Sequence, residues 1–196
     1  MKRILSIDFD YFIDTDLNTR NNKFPDGVDE KPKIELLSDW DFMYEKYPEI
    51  REDIGVIPEY FKCRDWLSKR KNGITVFSES HKDIYEVFNV CESDSLEVVN
   101  IDFHHDNYIS GCSKVDCANW VHHLMNEKPD TKFTWVKRKD SETVSLDGEF
   151  PYTTITDIKK VLVDNYDYIF ICLSPEWTPP HLIDYYNRMV ESALRY

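Results

Sequence analysis

The sequence has no long apolar segment, no low-complexity tract and no internal repeat in its 196 residues. We therefore expect no membrane-spanning helix and no membrane partner, and no signal peptide is recognisable. The cysteines are odd in number and lack Cys-x-x-Cys spacing; they are Cys63, Cys91, Cys112, Cys117 and Cys172. Because this pattern does not indicate a disulfide framework, we expect a reduced, cytoplasmic protein.

Basic residues are scarce relative to acidic ones. The chain has 24 Lys and Arg against 37 Asp and Glu, a formal net charge of -13. It offers little of the basic surface that a phosphate backbone requires, so we expect no nucleic-acid partner. The charge is compatible with a cationic ligand, although most of it is expected on solvated faces. The length fits one domain, residues 1–196, with a substantial core.

Apolar runs alternate with segments of helical periodicity. Four runs are predicted as buried strands: Arg3–Phe9, Ile74–Phe77, Leu96–Ile101 and Tyr168–Leu173. Helices are predicted at Ile57–Lys69, His81–Phe88, Cys117–Met125, Thr154–Val163 and Pro179–Tyr196. The alternation predicts an α/β fold, a three-layer αβα sandwich with a mainly parallel sheet. The last helix has Thr178 as its predicted N-cap and a core-facing stripe at Leu182, Tyr186, Met189 and Ala193.

The composition of two further segments predicts a loop and a hairpin. Asp14–Lys33 is a polar insert with a turn signal at Pro25–Gly27 and too little apolar content for a helix of its own. It is either a lid over the site described next or an ordinary surface loop. A hairpin is expected around Phe133–Leu146, with Lys137–Asp140 as its exposed, solvated turn.

Acidic and imidazole side chains follow three of the predicted strands. Asp8 and Asp10 follow the first, Glu79–His81 the second, and Asp102, His104 and Asp106 the third. Ligands bind at the carboxyl ends of strands in open α/β sheets, so these groups are expected at one edge. Fully extended, Asp102 to Asp106 would span about 13 Å, too far for one ion, so the backbone must curl back after His104. Carboxylate with imidazole suits Mn, Fe or Zn rather than Ca.

The segment Asp102–Asn107 resembles the Asp-x-His-x-Asp-x-Asn motif of the arginase and agmatinase superfamily, a binuclear manganese fold that also contains histone deacetylases. Glu79–His81 resembles the earlier histidine motif of that family. The paired aspartates that arginases carry late in the chain are missing, and Asp8–Asp10 is the Asp-x-Asp that could replace them. Together with Cys117–Trp120 and Ser174–Trp177, this permuted order resembles a small arginase-like family that includes peptide arginases (the OspR type). These convert arginine to ornithine in ribosomally made peptides.

The resemblance implies two Mn²⁺ ions and an arginine-containing precursor peptide as the partner, with the oligomeric state left open. The implied metal ligands are Asp8, Asp10, His81, Asp102, His104 and Asp106. Asp8 and Asp102 would bridge the ions; His81 and Asp106 would complete one, Asp10 and His104 the other. Asp106 would be catalytic, passing a proton to the departing amine.

Substrate contacts are expected from residues near the later strands. Glu176 is the catalytic and substrate-binding candidate, because a carboxylate accepts the planar fork of a guanidinium. The alternative is a capping or solvent-facing glutamate ahead of the last helix. Asn119 would hold substrate or a loop, and Trp177, with Trp120, would wall an arginine slot or pack in the core. His105 is expected to point into the opposite layer. His122 and His123 are expected to pack or lie at the surface, with a proton-shuttle role as the alternative.

Other functions fit parts of the pattern. Asp8-Phe9-Asp10 also looks like the nucleophile and acid pair of haloacid-dehalogenase-type phosphatases, which use Mg and an aspartyl phosphate. That interpretation leaves the Asp102 segment unexplained. A mononuclear zinc deacetylase and a non-catalytic, metal-stabilised module that binds a basic peptide are the remaining alternatives.

Overall fold

The central feature of the fold is one parallel sheet. The computed structural model describes residues 1–25, 31–91, 93, 95–108, 114–141, 152–163 and 165–195. Within these residues the strands are β1 (Lys2–Asp8), β2 (Ile74–Ser78), β3 (Leu96–Ile101), β4 (Lys132–Val136), β5 (Tyr152–Ile155) and β6 (Tyr168–Cys172). Their order is β2-β6-β1-β3-β4-β5, and every neighbouring pair is parallel. The predicted α/β class with a mainly parallel sheet is confirmed.

Helices flank this sheet. The α-helices of the described residues are α1 (Leu17–Lys23), α2 (Lys33–Lys46), α3 (Glu49–Asp53), α4 (Pro58–Lys69), α5 (Ile84–Val90), α6 (Trp120–Glu127) and α7 (Ile183–Ala193). Short 3₁₀ helices cover Phe9–Phe12, His81–Asp83, Ile158–Lys160 and Pro180–Leu182. None of the helices described has both the length and the apolar character needed to cross a bilayer.

Side chains of β1 alternate between two hydrophobic clusters, one for each face of the sheet. Ile4 packs in a cluster with Leu124 of α6 and Val87 of α5. Leu5 and Ile7 pack in the other cluster, which includes Leu67 of α4 and Met189 of α7. Burial on both faces is what a parallel sheet requires, and it accounts for the three layers.

The strand register brings the carboxyl ends of three strands level. Ile7 pairs with Ile101, and Asp8 pairs with Cys172. Asp102, the residue after Ile101, therefore lies beside Asp8 at the sheet edge. From β1 the sheet continues through β6 and β2 on one side and through β3, β4 and β5 on the other. Such a reversal of strand order opens a crevice at the carboxyl edge.

Two predictions about the later part of the chain are wrong. Thr154–Val163 is not a helix, because β5 covers Tyr152–Ile155 and only a 3₁₀ turn follows. Its Thr-Thr-Ile run suits a pleated surface, and the edge of β4 was free to pair with it. The hairpin around Phe133–Leu146 is also not formed within the described residues, since both neighbours of β4 are parallel to it. Residues 142–151 lie outside the described part.

The expectation of a solvated turn is wrong for Arg138. Its side chain is only 11% exposed. The guanidinium donates hydrogen bonds to the backbone carbonyls of Ile13 and Thr15. The turn after β4 is therefore tied to the segment that follows β1.

The polar insert contains a helix that its composition did not predict. Asp16 caps α1 by accepting a hydrogen bond from Thr19 N at 2.7 Å. Local capping and the burial of Arg20 replace the missing apolar face. Helices α2 and α3 were not predicted either, and the expected turn at Pro25–Gly27 falls mainly on residues 26–30, outside the described part.

For the last helix, the predicted packing is confirmed but the predicted N-cap is wrong. Thr178 does not cap it, because its hydroxyl donates instead to the carbonyl of Leu173 at 2.7 Å. The helix starts with the 3₁₀ turn Pro180–Leu182 and ends as α7 at Ala193. The predicted stripe at Leu182, Tyr186, Met189 and Ala193 is buried.

Candidate metal centre

The turn after β1 presents two aspartates. Asp8 is the last residue of β1, and its Oδ1 accepts a hydrogen bond from the backbone N of Asp10 at 3.1 Å. The Asp8 Oδ2 accepts one from the hydroxyl of Ser174 at 2.6 Å. Both aspartates are buried. Their carboxylates are therefore held rigidly at the carboxyl edge of the sheet.

The Asp102–Asp106 loop folds back on itself, as expected, but the turn begins before His104 rather than after it. β3 ends at Ile101, and Asp102 Oδ1 accepts from the backbone N of His104 at 2.8 Å. Asp106 has a φ of 50°, in the left-handed region that few residues other than glycine occupy. Strain of this kind concentrates at functional sites. The turn brings Asp106 back beside Asp102, which an extended strand could not do.

His81 lies at the centre of three carboxylates. Its Nδ1 is 3.2 Å from Asp8 Oδ2, 3.3 Å from Asp102 Oδ2 and 2.9 Å from Asp106 Oδ2. This nitrogen is buried, yet none of those contacts has hydrogen-bond geometry. The Nε2 lies 2.7 Å from Ser6 Oγ, and a proton on Nε2 leaves a lone pair on Nδ1. An imidazole held in this way by a partner on its far nitrogen is typical of a metal ligand.

A second group of ligand atoms adjoins the first. His104 Nδ1 lies 2.9 Å from Asp10 Oδ2. The donor atoms of Asp10, Asp102 and His104 are within 4.8 Å of one another, as are those of Asp8, His81 and Asp102. Each group could hold a metal ion, and Asp102 belongs to both. Asp8 belongs only to the His81 group, whereas the family resemblance implies that it also bridges.

Burial and mutual repulsion make two of the carboxyl groups weak acids. Burial, followed by the charge of Asp10, raises the pKa of Asp8 to about 6. Burial, followed by the charge of Asp106, raises the pKa of Asp102 to about 7. Divalent cations would relieve this repulsion, since they neutralise the charge that the carboxylates develop.

The two histidines are shifted in the direction that favours their charged form. Burial opposes the charge of His81, but Asp106 and the other carboxylates outweigh it and raise the His81 pKa well above its usual value. Asp10 likewise outweighs burial and raises the pKa of His104 to about 9. In turn, His104 and then Arg20 overcome the burial of Asp10 and lower its pKa to about 2. Both histidines therefore hold a proton more tightly than an imidazole in water does.

A cavity of about 280 Å³ opens over the acidic cluster, by which we mean the two histidines and four aspartates described above. Asp8, His81, His104 and Asp106 form part of its wall. Glu176 and Trp177 line it, together with Leu17 and Asn21 of α1. Two residues of the polar insert thus line the cavity, and whether the insert acts as a lid stays a prediction. Glu176 is buried, and the ring of Trp177 lies 4.6 Å from that of His104.

The remaining candidates take structural positions. Asn119 Oδ1 accepts from Asp116 N, and its Nδ2 donates to the carbonyl of Lys114, so this side chain holds a loop. Trp120 is fully buried and is not a wall of the cavity. His105 packs against Trp135, away from the cluster, as predicted.

His122 and His123 do not line the cavity over the cluster. Their rings lie 5.9 Å apart on α6, and His122 Nε2 is 3.0 Å from Asn126 Nδ2. This placement agrees with the packing and surface interpretation rather than with a proton shuttle.

Sequence reasoning missed three side chains that support the cluster. Ser6 contacts His81, Ser174 contacts Asp8, and Arg20 contacts Asp10. A serine inside an otherwise apolar strand was a signal for Ser6. For Arg20 the available signal was a single arginine in the insert directly after the two aspartates. Ser174 follows a buried strand, and its φ of 46° could not be read from the sequence.

The observed geometry defines a buried group of aspartate and histidine side chains that could hold a metal ion. No family model, no curated protein and no solved structure matches this chain.

Proposed function

We propose that this protein is a binuclear metallohydrolase that hydrolyses the guanidinium group of arginine to ornithine and urea, acting on arginine within a peptide. The observation that carries the proposal is the position of Asp102. It belongs to both ligand groups, and the cavity above them is lined by the buried carboxylate of Glu176. A shared carboxylate between two ion positions is the arrangement that binuclear hydrolases use.

In the proposed reaction, each candidate residue has a separate role. When bound, two divalent ions supply a hydroxide nucleophile near neutral pH by lowering the pKa of a water. Glu176 accepts the guanidinium donors and orients the carbon for attack. The bond between the guanidinium carbon and the side-chain nitrogen breaks, so that the carbon leaves as urea. Asp106, whose carboxylate accepts a hydrogen bond from Trp120, passes the hydroxide proton to the departing amine nitrogen. Trp177 packs beside the aliphatic stem of the arginine.

The substrate is an arginine residue of a peptide rather than the free amino acid. A second cavity, of about 150 Å³, also has Glu176 in its wall. Its other walls include Leu37, Trp40 and Ile183. A volume of about 150 Å³ accommodates a benzene-sized group, so an apolar side chain next to the arginine would fit there. Free arginine would leave this space empty and its own charged termini unpaired.

The phosphatase alternative is less well supported. In that pair Asp8 would be the nucleophile and Asp10 the acid that must reach the leaving group, but Asp10 is fully buried and paired with Arg20. Asp8 faces His81 and Asp102, for which phosphoryl transfer offers no role. The deacetylase and binding-module alternatives differ from the proposal in outcome, since neither releases urea from arginine.

Mass spectrometry tests the proposal directly. The protein is incubated with Mn²⁺ and arginine-containing peptides, and each turnover should remove about 42 Da, the mass lost with the amidine carbon. Urea should appear in equal amount. Glu176→Gln should abolish both signals, whereas the control Glu59→Gln, on α4, should retain them. Binding of the peptides without mass loss would favour the binding module instead.

A further inference from the structure

Arg20, from the polar insert, is buried against a candidate metal ligand. Its Nη1 donates to Asp10 Oδ2 at 3.2 Å, and its Nη2 donates to the Asp10 carbonyl at 2.6 Å and to the Ile13 carbonyl at 3.3 Å. Both side chains of the ion pair are completely buried. The guanidinium carbon also lies 3.9 Å from the centre of the Phe103 ring.

These contacts fix both the side chain and the backbone of Asp10. One hydrogen bond reaches its carboxylate, and two others reach the backbone carbonyls of Asp10 itself and of Ile13, the residue that caps the C-terminal end of the 3₁₀ turn. The oxygen that receives Arg20 is the same Oδ2 that lies 2.9 Å from His104 Nδ1. Arg20 therefore sets the direction in which Asp10 faces the second ligand group.

The two ligand groups differ in whether an arginine or lysine pairs with their carboxylates. Within the residues that the structure describes, no lysine or arginine forms an ion pair with Asp8, Asp102 or Asp106. In the described part of the chain, Arg20 is the buried cationic side chain from outside the ligand set that contacts these carboxylates, and it contacts the Asp10 group. The ligand group around His81 is instead supported by neutral donors, such as Ser174 on Asp8.

We propose that Arg20 is a positioning residue for the metal position formed by Asp10, Asp102 and His104, and that occupancy of this position depends on it while the His81 position does not. The inference rests on the proposed binuclear centre. A hydrogen-bonded partner behind a ligand typically contributes 10–100-fold to metal affinity. Through Arg20, the helix α1 becomes part of the metal centre rather than only a cover above it.

Arg138 provides a matched control. Like Arg20, Arg138 has a largely buried side chain, which is 11% exposed. Its guanidinium carbon lies 5.3 Å from the centre of the Phe103 ring, and it also donates a hydrogen bond to the Ile13 carbonyl. Unlike Arg20, it forms no hydrogen bond or ion pair with Asp10. Arg138→Met therefore removes a comparable structural anchor but leaves the ligand untouched.

The experiment measures Mn²⁺ binding without substrate, by titration calorimetry and electron paramagnetic resonance. Wild type and Arg138→Met should bind two ions and give the spectrum of a coupled pair. Arg20→Met should weaken one binding event by about 10–100-fold and give a single-ion spectrum at the Mn²⁺ concentration that saturates the wild type. Arg20→Lys, which keeps the charge but not the planar fork, should fall between them.

Each outcome bears on a distinct claim. Unchanged or tighter binding of both ions in Arg20→Met would overturn the positioning role, as would an equal loss in Arg138→Met. If Arg20→Met does not fold, wild-type-like binding of both ions by Arg20→Lys would overturn it. A wild type that binds fewer than two ions would contradict the binuclear centre itself, and with it the proposed function.

Discussion

The indole nitrogen of Trp120 donates a hydrogen bond to Asp106 Oδ2 at 2.6 Å. That same carboxylate oxygen lies 2.9 Å from His81 Nδ1. The first residue of α6 therefore fixes the carboxylate that lies nearest to His81 Nδ1. A residue expected to wall the substrate slot or to fill the core acts on the candidate centre through one polar atom.

Trp120→Phe should reduce activity far more than stability. The phenyl ring keeps most of the apolar contact but cannot donate to Asp106, so the carboxylate loses its orientation. We expect a drop of about 10–100-fold in Mn²⁺ affinity or in kcat. The control is Trp135→Phe, because the Trp135 indole donates to the backbone carbonyl of Asp102 and not to a carboxylate. Equal losses of metal affinity in the two variants would contradict the specific role of Trp120.

Asp102→Asn should remove activity and weaken both ion positions while the fold persists. Asp102 belongs to both ligand groups, whereas Asp8 belongs to only one, so Asp8→Asn should weaken one position. The metal-free Asp102→Asn protein should be at least as stable as wild type, because one buried carboxyl with a raised pKa is removed. Mn²⁺ stoichiometry and the thermal midpoint without metal measure the two effects. Retention of two ions by Asp102→Asn would refute the shared-ligand assignment.

Mn²⁺ binding should strengthen as pH rises. The pKa of His104 is raised to about 9, and those of Asp8 and Asp102 to about 6 and about 7, so metal-free folding takes up protons at these groups. The stability contributed by His104 is complete below its ordinary pKa of 6.5 and is lost as pH rises through about 9. The raised carboxyl pKa values lower metal-free stability as pH rises from 3.8 towards about 7.

Metal ligands bind in their deprotonated form, so ion binding must release these protons. Affinity should therefore increase between about pH 6 and pH 9. Calorimetry in buffers of different ionisation enthalpy counts the released protons. A pH-independent affinity over this range would mean that the shifted groups are not the ligands.

The second cavity should favour peptides with an apolar residue beside the arginine. Leu37→Glu places a charge in the cavity wall and should lower kcat/KM for such peptides by about 10-fold, close to the value of burying one small apolar group. Hydrolysis of free arginine, which we expect to be slow, should not change. Ile34→Glu is the control, since Ile34 lies on the same helix but is 79% exposed and does not line the cavity. Loss of kcat/KM by the same factor in both variants would argue against this subsite.

Much of the site follows from local sequence pattern. Runs of consecutive apolar residues indicate buried parallel strands, and the residues that follow such strands must meet at one edge. That pattern alone predicts that Asp8, His81 and Asp102 lie together, and the structure brings them together. It also required the chain to turn back before Asp106, since no extended strand could bring the two aspartates to one ion.

The supporting contacts depend on tertiary structure alone. Arg20 and Trp120 reach their carboxylates over 10 and 14 residues, and Ser174 reaches Asp8 over 166 residues. Partners of this kind leave no periodic pattern in the sequence, because a polar side chain is buried only where the fold provides a hydrogen-bonding partner for it.

Tertiary structure also decided the conformation of β5, which overlaps a segment predicted as helix. It became a strand because the edge of β4 offered it backbone partners. Sequence by itself determined which residues end the central strands, since consecutive burial on both faces leaves a recognisable apolar run. Only the folded chain decided which neighbours hold those residues in place, because hydrogen bonds and ion pairs form between groups that the packing of distant segments brings together.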